Sequence, residues 1–276
     1  EYQTIADRLT VMMEGKMNLV SEIYKYIDSF APCSTQEKWD NSGLLTGSMN
    51  KKVSKVLVTL DITNEVADEA AEIGAELIIA HHPVIFRPLY SLSENEPSCK
   101  LLKSGISAIC VHTPYDVAEG GMSDILMDLV GFEKSDGILE ITGQRDKPYG
   151  FGTIGIASQE YTADELAKKL KNDLGCTVVR YTDCERPIKK AAFCTGSGGN
   201  LVEAAVNNGA DAYITSELKH DQWLLARQIG ISVFDCGHFH TENIGMIRLC
   251  KALTADFPNI EFVMSEVNKD PVKYVL

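Results

Sequence analysis

The apolar positions change period along the chain, and the changes mark the elements. In "MNLVSEIYKYIDSF", residues 17–30, Leu19, Ile23, Ile27 and Phe30 fall on one face and predict an amphipathic helix. "KVLVTLDIT", 55–63, is a near-continuous apolar run, as expected for a parallel strand covered on both faces. "NEVADEAAEIG", 64–74, predicts a helix capped at Thr63 or Asn64 and ended by Gly74. Strand "AELIIAHHP" follows, then a helix over 97–104, strand "GISAICVH" and helix "MSDILMDLVG".

From about 140 to 190 the pattern differs. "GFGTIGIAS" and "TVVRYT" read as strands around a helix, "TADELAKKLKNDLG", whose Thr162 and Glu165 form a capping box. Alternation then resumes with strand "KKAAFC", loop "TGSGG", helix "NLVEAAVNNG" and strand "ADAYIT". A helix through "QWLLARQIG", strand "ISVFDC" and a last helix over about 242–255 complete it.

Strand–helix alternation predicts an α/β fold with parallel or mixed sheets. "EAAEIGAELIIAHH" aligns with "EAAVNNGADAYITSE" at an offset of 135, which sets His81–His82 on Ser216–Glu217. "GISAICVHT" aligns with "GISVFDCGH" at an offset of 125. The expectation is two similar α/β lobes, 17–139 and 191–276, facing a shared metal-binding cleft. Residues 140–190 form a small βαβ-like connection, and 1–16 an N-terminal extension or helix with Ile5, Leu9 and Met12 or Met13 at helical spacing.

Composition narrows the function. The chain has 276 residues, 45% apolar, and no run near the ~18 apolar residues of a membrane span. No secretory signal is visible, and the expected setting is cytoplasmic. Its net charge of −13 disfavours nucleic acid and anionic lipid as partners. The eight cysteines include no C-x-x-C pair, and several lie in apolar strands as small buried hydrophobes.

All six histidines lie at or just after predicted carboxyl ends of strands, where open α/β sheets bind ligands. "VHTPYD" places Asp116 four residues past His112, and "GHFHTE" places Glu242 four past His238. Imidazole with carboxylate is a ligand set for zinc, iron, manganese and their neighbours. A catalytic zinc needs about three protein ligands. His81, His82, Asp116, His238 and Glu242 make five, which points to two divalent ions with one or both carboxylates bridging. Pro83 stops the strand, so both tandem histidines can turn inward.

The roles of other residues stay open. His240 is a proton donor, a ligand or a loop residue. His112 orients Asp116 or is structural. Glu217 and His220, in "SELKHD", are a general base and a substrate contact, or a helix-start carboxylate and an exposed histidine. Asp61 caps the next helix or holds a ligand histidine, with the structural role favoured. "TGSGG" is a tight turn or a phosphate cradle, and Arg87 an anion contact or a surface residue.

Taken in order, "WDNSGLL", "TLDIT", "GAELIIAHHPVIF", "HTPYD", "TGSGG" and "GHFHTE" resemble the Nif-three-like family, also called GTP cyclohydrolase 1 type 2 or domain of unknown function 34. The resemblance runs from about Met17 to near residue 270, in the short form without a large inserted domain. It implies a dinuclear centre on the same five residues. It also implies a ring-shaped homohexamer, a trimer of dimers, and a nucleotide as the small-molecule substrate. The expected activity is a metal-dependent hydrolase of the GTP cyclohydrolase kind. A metal-dependent phosphoesterase and a non-enzymatic metal-binding or regulatory ring are the alternatives.

Overall fold

The computed structural model describes residues 18–135 and 137–275. The helix expected over 1–16 lies outside them. The first half runs β1 (Asn18–Leu19), α1 (Val20–Phe30), β2 (Gly43–Thr46), β3 (Lys52–Val53) and β4 (Lys55–Thr59). It continues through α2 (Asn64–Glu72), β5 (Leu77–Ala80), α3 (Pro97–Lys103), β6 (Ser107–Cys110), α4 (Thr113–Asp116), α5 (Met122–Leu129) and β7 (Phe132–Ser135). The second half runs β8 (Glu140–Gln144), β9 (Pro148–Phe151), β10 (Thr153–Tyr161), α6 (Ala163–Leu174), β11 (Arg180–Tyr181) and β12 (Ile188–Phe193). It ends with α7 (Val202–Asn207), β13 (Ala212–Thr215), α8 (His220–Ile229), β14 (Ser232–Asp235), α9 (His238–Asp256) and β15 (Glu261–Met264).

The fold is mixed α/β, with two principal sheets. One has the order β15-β4-β5-β6-β2 and the other β11-β14-β13-β12-β10-β7. Each contains three consecutive parallel strands joined by helices: β4-β5-β6 and β12-β13-β14. Val56 pairs with Leu77 as Ala191 pairs with Ala212, with both partners 135 residues further on. Antiparallel β2 flanks β6 as antiparallel β11 flanks β14. β11 is thus part of the second sheet, and α6 packs against it.

The apolar run in β4 is explained by its two covered faces. Val56 and Val58 pack with α1, α5 and α9, while Leu57 packs with α2 and α3. Thr63 caps α2 by accepting from the Val66 amide at 3.3 Å. The Thr162–Glu165 capping box on α6 is formed as expected, with the Thr162 amide donating to Glu165 Oε2 at 2.8 Å.

The differences have local causes. Gly152, with φ +75°, breaks "GFGTIGIAS" into the end of a hairpin, β8–β9, and the long strand β10. "TVVRYT" contributes only the two residues of β11. The last helix starts at His238, one turn earlier than its apolar pattern suggests. Each half also sends its final strand across. β7, after α5, pairs antiparallel with β10, and β15, after α9, pairs parallel with β4. Between these crossings α5 and α9 pack closely, and a Cβ added at Gly245 would stand 2.0 Å from Met122 Sδ. Among the described residues no helix is long and apolar enough to cross a membrane.

Candidate metal centre

The carboxyl ends of β5, β6 and β14 converge, and their following residues carry the polar cluster. His81 and His82 leave β5, His112 precedes α4, Asp116 ends that short helix, and His238 opens α9. Glu242 lies one helical turn after His238, so both side chains share a face. Among the described residues, three groups have atoms close enough to hold a metal ion: His81, His82 and His112; His82, His238 and Glu242; and His81, Asp116 and Glu242.

Second partners fix the imidazoles. His81 Nδ1 lies 2.9 Å from the Val111 carbonyl, which can only accept, so Nδ1 carries the proton and Nε2 keeps its lone pair. His82 Nδ1 bonds Asp61 Oδ1 at 2.7 Å, and His112 Nδ1 bonds Asp40 Oδ1 at 2.8 Å. His238 Nδ1 lies 3.1 Å from Glu217 Oε1. One ring nitrogen held by an oxygen with the other directed inward is the support metal-ligating histidines receive.

The inward atoms lack ordinary partners. His81 Nε2, Asp116 Oδ1, His238 Nε2 and Glu242 Oε2 are buried without a hydrogen bond. His81 Nε2 stands 3.6 Å from Asp116 Oδ1 and 3.9 Å from Glu242 Oε1. His238 Nε2 and Glu242 Oε2 are 2.9 Å apart but misaligned for hydrogen bonding. Buried donors and acceptors are nearly always satisfied, so four orphans aimed at one another fit a site for a cation. The donor set of neutral imidazole and carboxylate suits a borderline divalent metal.

The electrostatics is that of carboxylates drawing positive charge into the cluster, held by protons on His82 and His238. Burial, with neighbouring imidazoles, lowers His81 to about 3 and keeps it neutral. Burial also opposes charge on His82 and His238. The Asp61 and Glu242 carboxylates nevertheless raise His82 to about 10, and chiefly Glu242 raises His238 to about 9. Asp116 is pushed well above the carboxylate range by burial and by the Glu242 charge. Glu242 is held low, because its histidines outweigh its burial.

The loop "TGSGG" meets this cluster. Gly196 has φ +63°, and an added Cβ would lie 2.1 Å from Glu242 Oε1. Its amide donates to Thr241 Oγ1 at 3.1 Å, and the Gly198 amide donates to the Gly196 carbonyl at 3.0 Å. Those two amides are occupied within the protein, and the glycine serves close approach to Glu242.

The remaining candidates separate. Exposed Glu217, with φ +55°, sits against His238. His240 pairs with Asp270 at 3.3 Å, and neither it nor His220 belongs to the three groups. His220 and Arg87 are exposed. Asp61 holds His82 while Thr63 caps the helix, which reverses the role favoured for Asp61 from sequence. His112 joins the cluster, supported by Asp40 and not by Asp116. A cavity of about 480 Å³ opens onto His112, Asp116, His238 and Glu242, and another of about 490 Å³ reaches His82, His238 and Glu217.

A family model for Duf34/NIF3 (NGG1p interacting factor 3) matches residues 18–271. The chain belongs to this family. A Clostridium perfringens relative named GTP cyclohydrolase 1 type 2 homolog is 32% identical over 93% of this chain and 99% of its own length. The NGG1-interacting factor 3 of Saccharomyces cerevisiae is 30% identical over 92% of this chain and 96% of its own. The crystal structure of Staphylococcus aureus hypothetical protein SA1388 aligns at TM-score 0.87 and 28% identity, covering 94% of this chain and all of that one. The NIF3 fold thus extends over the whole described cluster.

Proposed function

We propose that this NIF3-family protein is a metal-dependent hydrolase that holds two divalent ions, zinc, iron or manganese, and acts on a nucleotide. Purine ring opening of the GTP cyclohydrolase kind is the reaction proposed. The observation that carries the reading is the set of orphaned atoms on His81, Asp116, His238 and Glu242. His81, Asp116 and Glu242 would hold one ion, and His82, His238 and Glu242 the other, with Glu242 shared. His112 is a sixth donor for the same centre.

When bound, such ions lower the pKa of water and polarise the bond to be broken. The chain's own residues prepare that chemistry. Val111, Asp61 and Asp40 fix the rings of His81, His82 and His112. Exposed Glu217, against His238 Nδ1, is the proton carrier this reading favours. The names of the relatives support the choice of a guanine nucleotide. A cytoplasmic homohexamer belongs to the same proposal, and sedimentation checks its oligomeric part.

The test is to load the protein with zinc, manganese or iron, add GTP, and follow formate release with the absorbance of the opened ring. Formate matching GTP consumed is expected. No turnover with any of the three metals overturns the reaction proposed.

A further inference from the structure

Two aromatic side chains stand in water beside the cluster. Trp39 is 57% exposed and Phe86 43% exposed. Their ring centroids are 6.1 Å apart with planes at 58°. Both meet His112 in T-shaped contacts, with centroids at 5.8 Å for Trp39 and 6.2 Å for Phe86. The two loops are fastened together, because Asn41 Nδ2 donates to the Ile85 carbonyl at 2.5 Å. The adjacent Asp40 pins His112. The pair is therefore held in a set relation to the cluster.

Trp39 also lines the cavity of about 480 Å³, with Glu37, Glu140, Thr142 and Asn200 among its walls. Among the described residues, no lysine or arginine lines that cavity. Carboxylates there accept from N–H groups. At 6.1 Å the two rings are too close to sandwich a third. A flat ligand instead stacks on the indole face with its edge against Phe86, the offset and edge arrangements aromatic rings prefer.

We infer that Trp39 and Phe86 are the recognition platform for a planar heteroaromatic ring carrying N–H donors, of the aminopurine class. The amino edge of the ring donates to Glu37 and Glu140. The inference deepens the hydrolase reading and rests on it for the choice of a purine.

The test uses the full chain and guanosine, which has the ring without phosphate. The chain has only two tryptophans. Trp223→Phe thus leaves Trp39 as the sole indole reporter. Guanosine is expected to quench that fluorescence saturably, in metal-free as well as metal-loaded protein. By calorimetry, Trp39→Ala weakens guanosine binding about ten- to hundred-fold, as loss of base stacking does. Trp39→Phe keeps most of the affinity, Phe86→Ala weakens it, and ribose 5-phosphate does not compete. Equal guanosine affinity in parent and Trp39→Ala overturns the platform. So does absence of quenching, or competition by ribose 5-phosphate. The hydrolase reading fails separately, by loss of turnover with binding intact.

Discussion

His82 and Glu242 are 160 residues apart in the chain, yet the Nε2 of one lies 3.1 Å from the Oε2 of the other. The same oxygen is 2.9 Å from His238 Nε2. One carboxylate therefore stands between two imidazoles, while its other oxygen faces His81. If this residue is the shared ligand, Glu242→Ala lowers retained metal at both positions. His81→Ala removes a ligand from one position and leaves metal at the other. Elemental analysis after exhaustive dialysis reads the difference, and a Glu242→Ala protein with full metal content disproves the sharing.

A chain of contacts reaches the cluster from the C-terminal segment. Asn268 Oδ1 accepts from the Leu60 and Asp61 amides at 3.0 and 3.3 Å, and its Nδ2 donates to Asp61 Oδ2 at 3.2 Å. Asp61 in turn holds His82. Outer partners of ligating histidines commonly affect metal affinity by about 10–100-fold. Asp61→Asn is expected to weaken metal binding within that range, and Asn268→Ala to weaken it less in the same direction. Competition with a chromophoric chelator measures both. An unchanged affinity in Asp61→Asn means that His82 needs no such support.

The histidines were legible because they are few and gather at strand ends, where side chains leave the sheet at its ligand-binding edge. Their supports were not. Asp40 is 72 residues from His112, and Asn268 is 207 from Asp61, so no local period relates the partners. The start of α9 was hidden for another reason. Gly237, with φ +82°, precedes it without a side-chain cap, and "HFHTE" has no apolar period to announce a helix. The parallel cores of both lobes were readable from their buried runs. The exchange of β7 and β15 was not, because apolar pattern specifies which face is buried but not which strand is the neighbour.

Gly196 and Gly74 separate backbone cost from site cost. Both have positive φ, +63° and +72°. Nothing lies within 4 Å of a Cβ built at Gly74, whereas one at Gly196 meets Glu242 Oε1 at 2.1 Å. Gly74→Ala should cost about 1–2 kcal/mol, the penalty of a left-handed residue with a side chain. Its metal content should stay intact. Gly196→Ala should cost more and also displace Glu242, with loss of metal. Denaturant midpoints and metal content on the two variants check this. A Gly196→Ala protein that keeps its metal shows that Glu242 can move without harm.

The exchanged strands predict that the halves do not fold alone. The core under the first sheet takes Met246, Leu249, Leu253 and Ile260 from the chain beyond residue 237, all nearly inaccessible to solvent. Burying four such side chains contributes on the order of 10 kcal/mol. The whole net stability of a domain is about 5–15 kcal/mol. A fragment of residues 1–139 also loses β15 and so leaves the β4 edge unpaired. It is expected to show no cooperative thermal transition by circular dichroism. Mixing it with a fragment of residues 140–276 should restore one, because each supplies the strand the other sheet needs. A sharp transition in the first fragment alone, at the temperature of the full chain, would falsify the mutual dependence of the lobes.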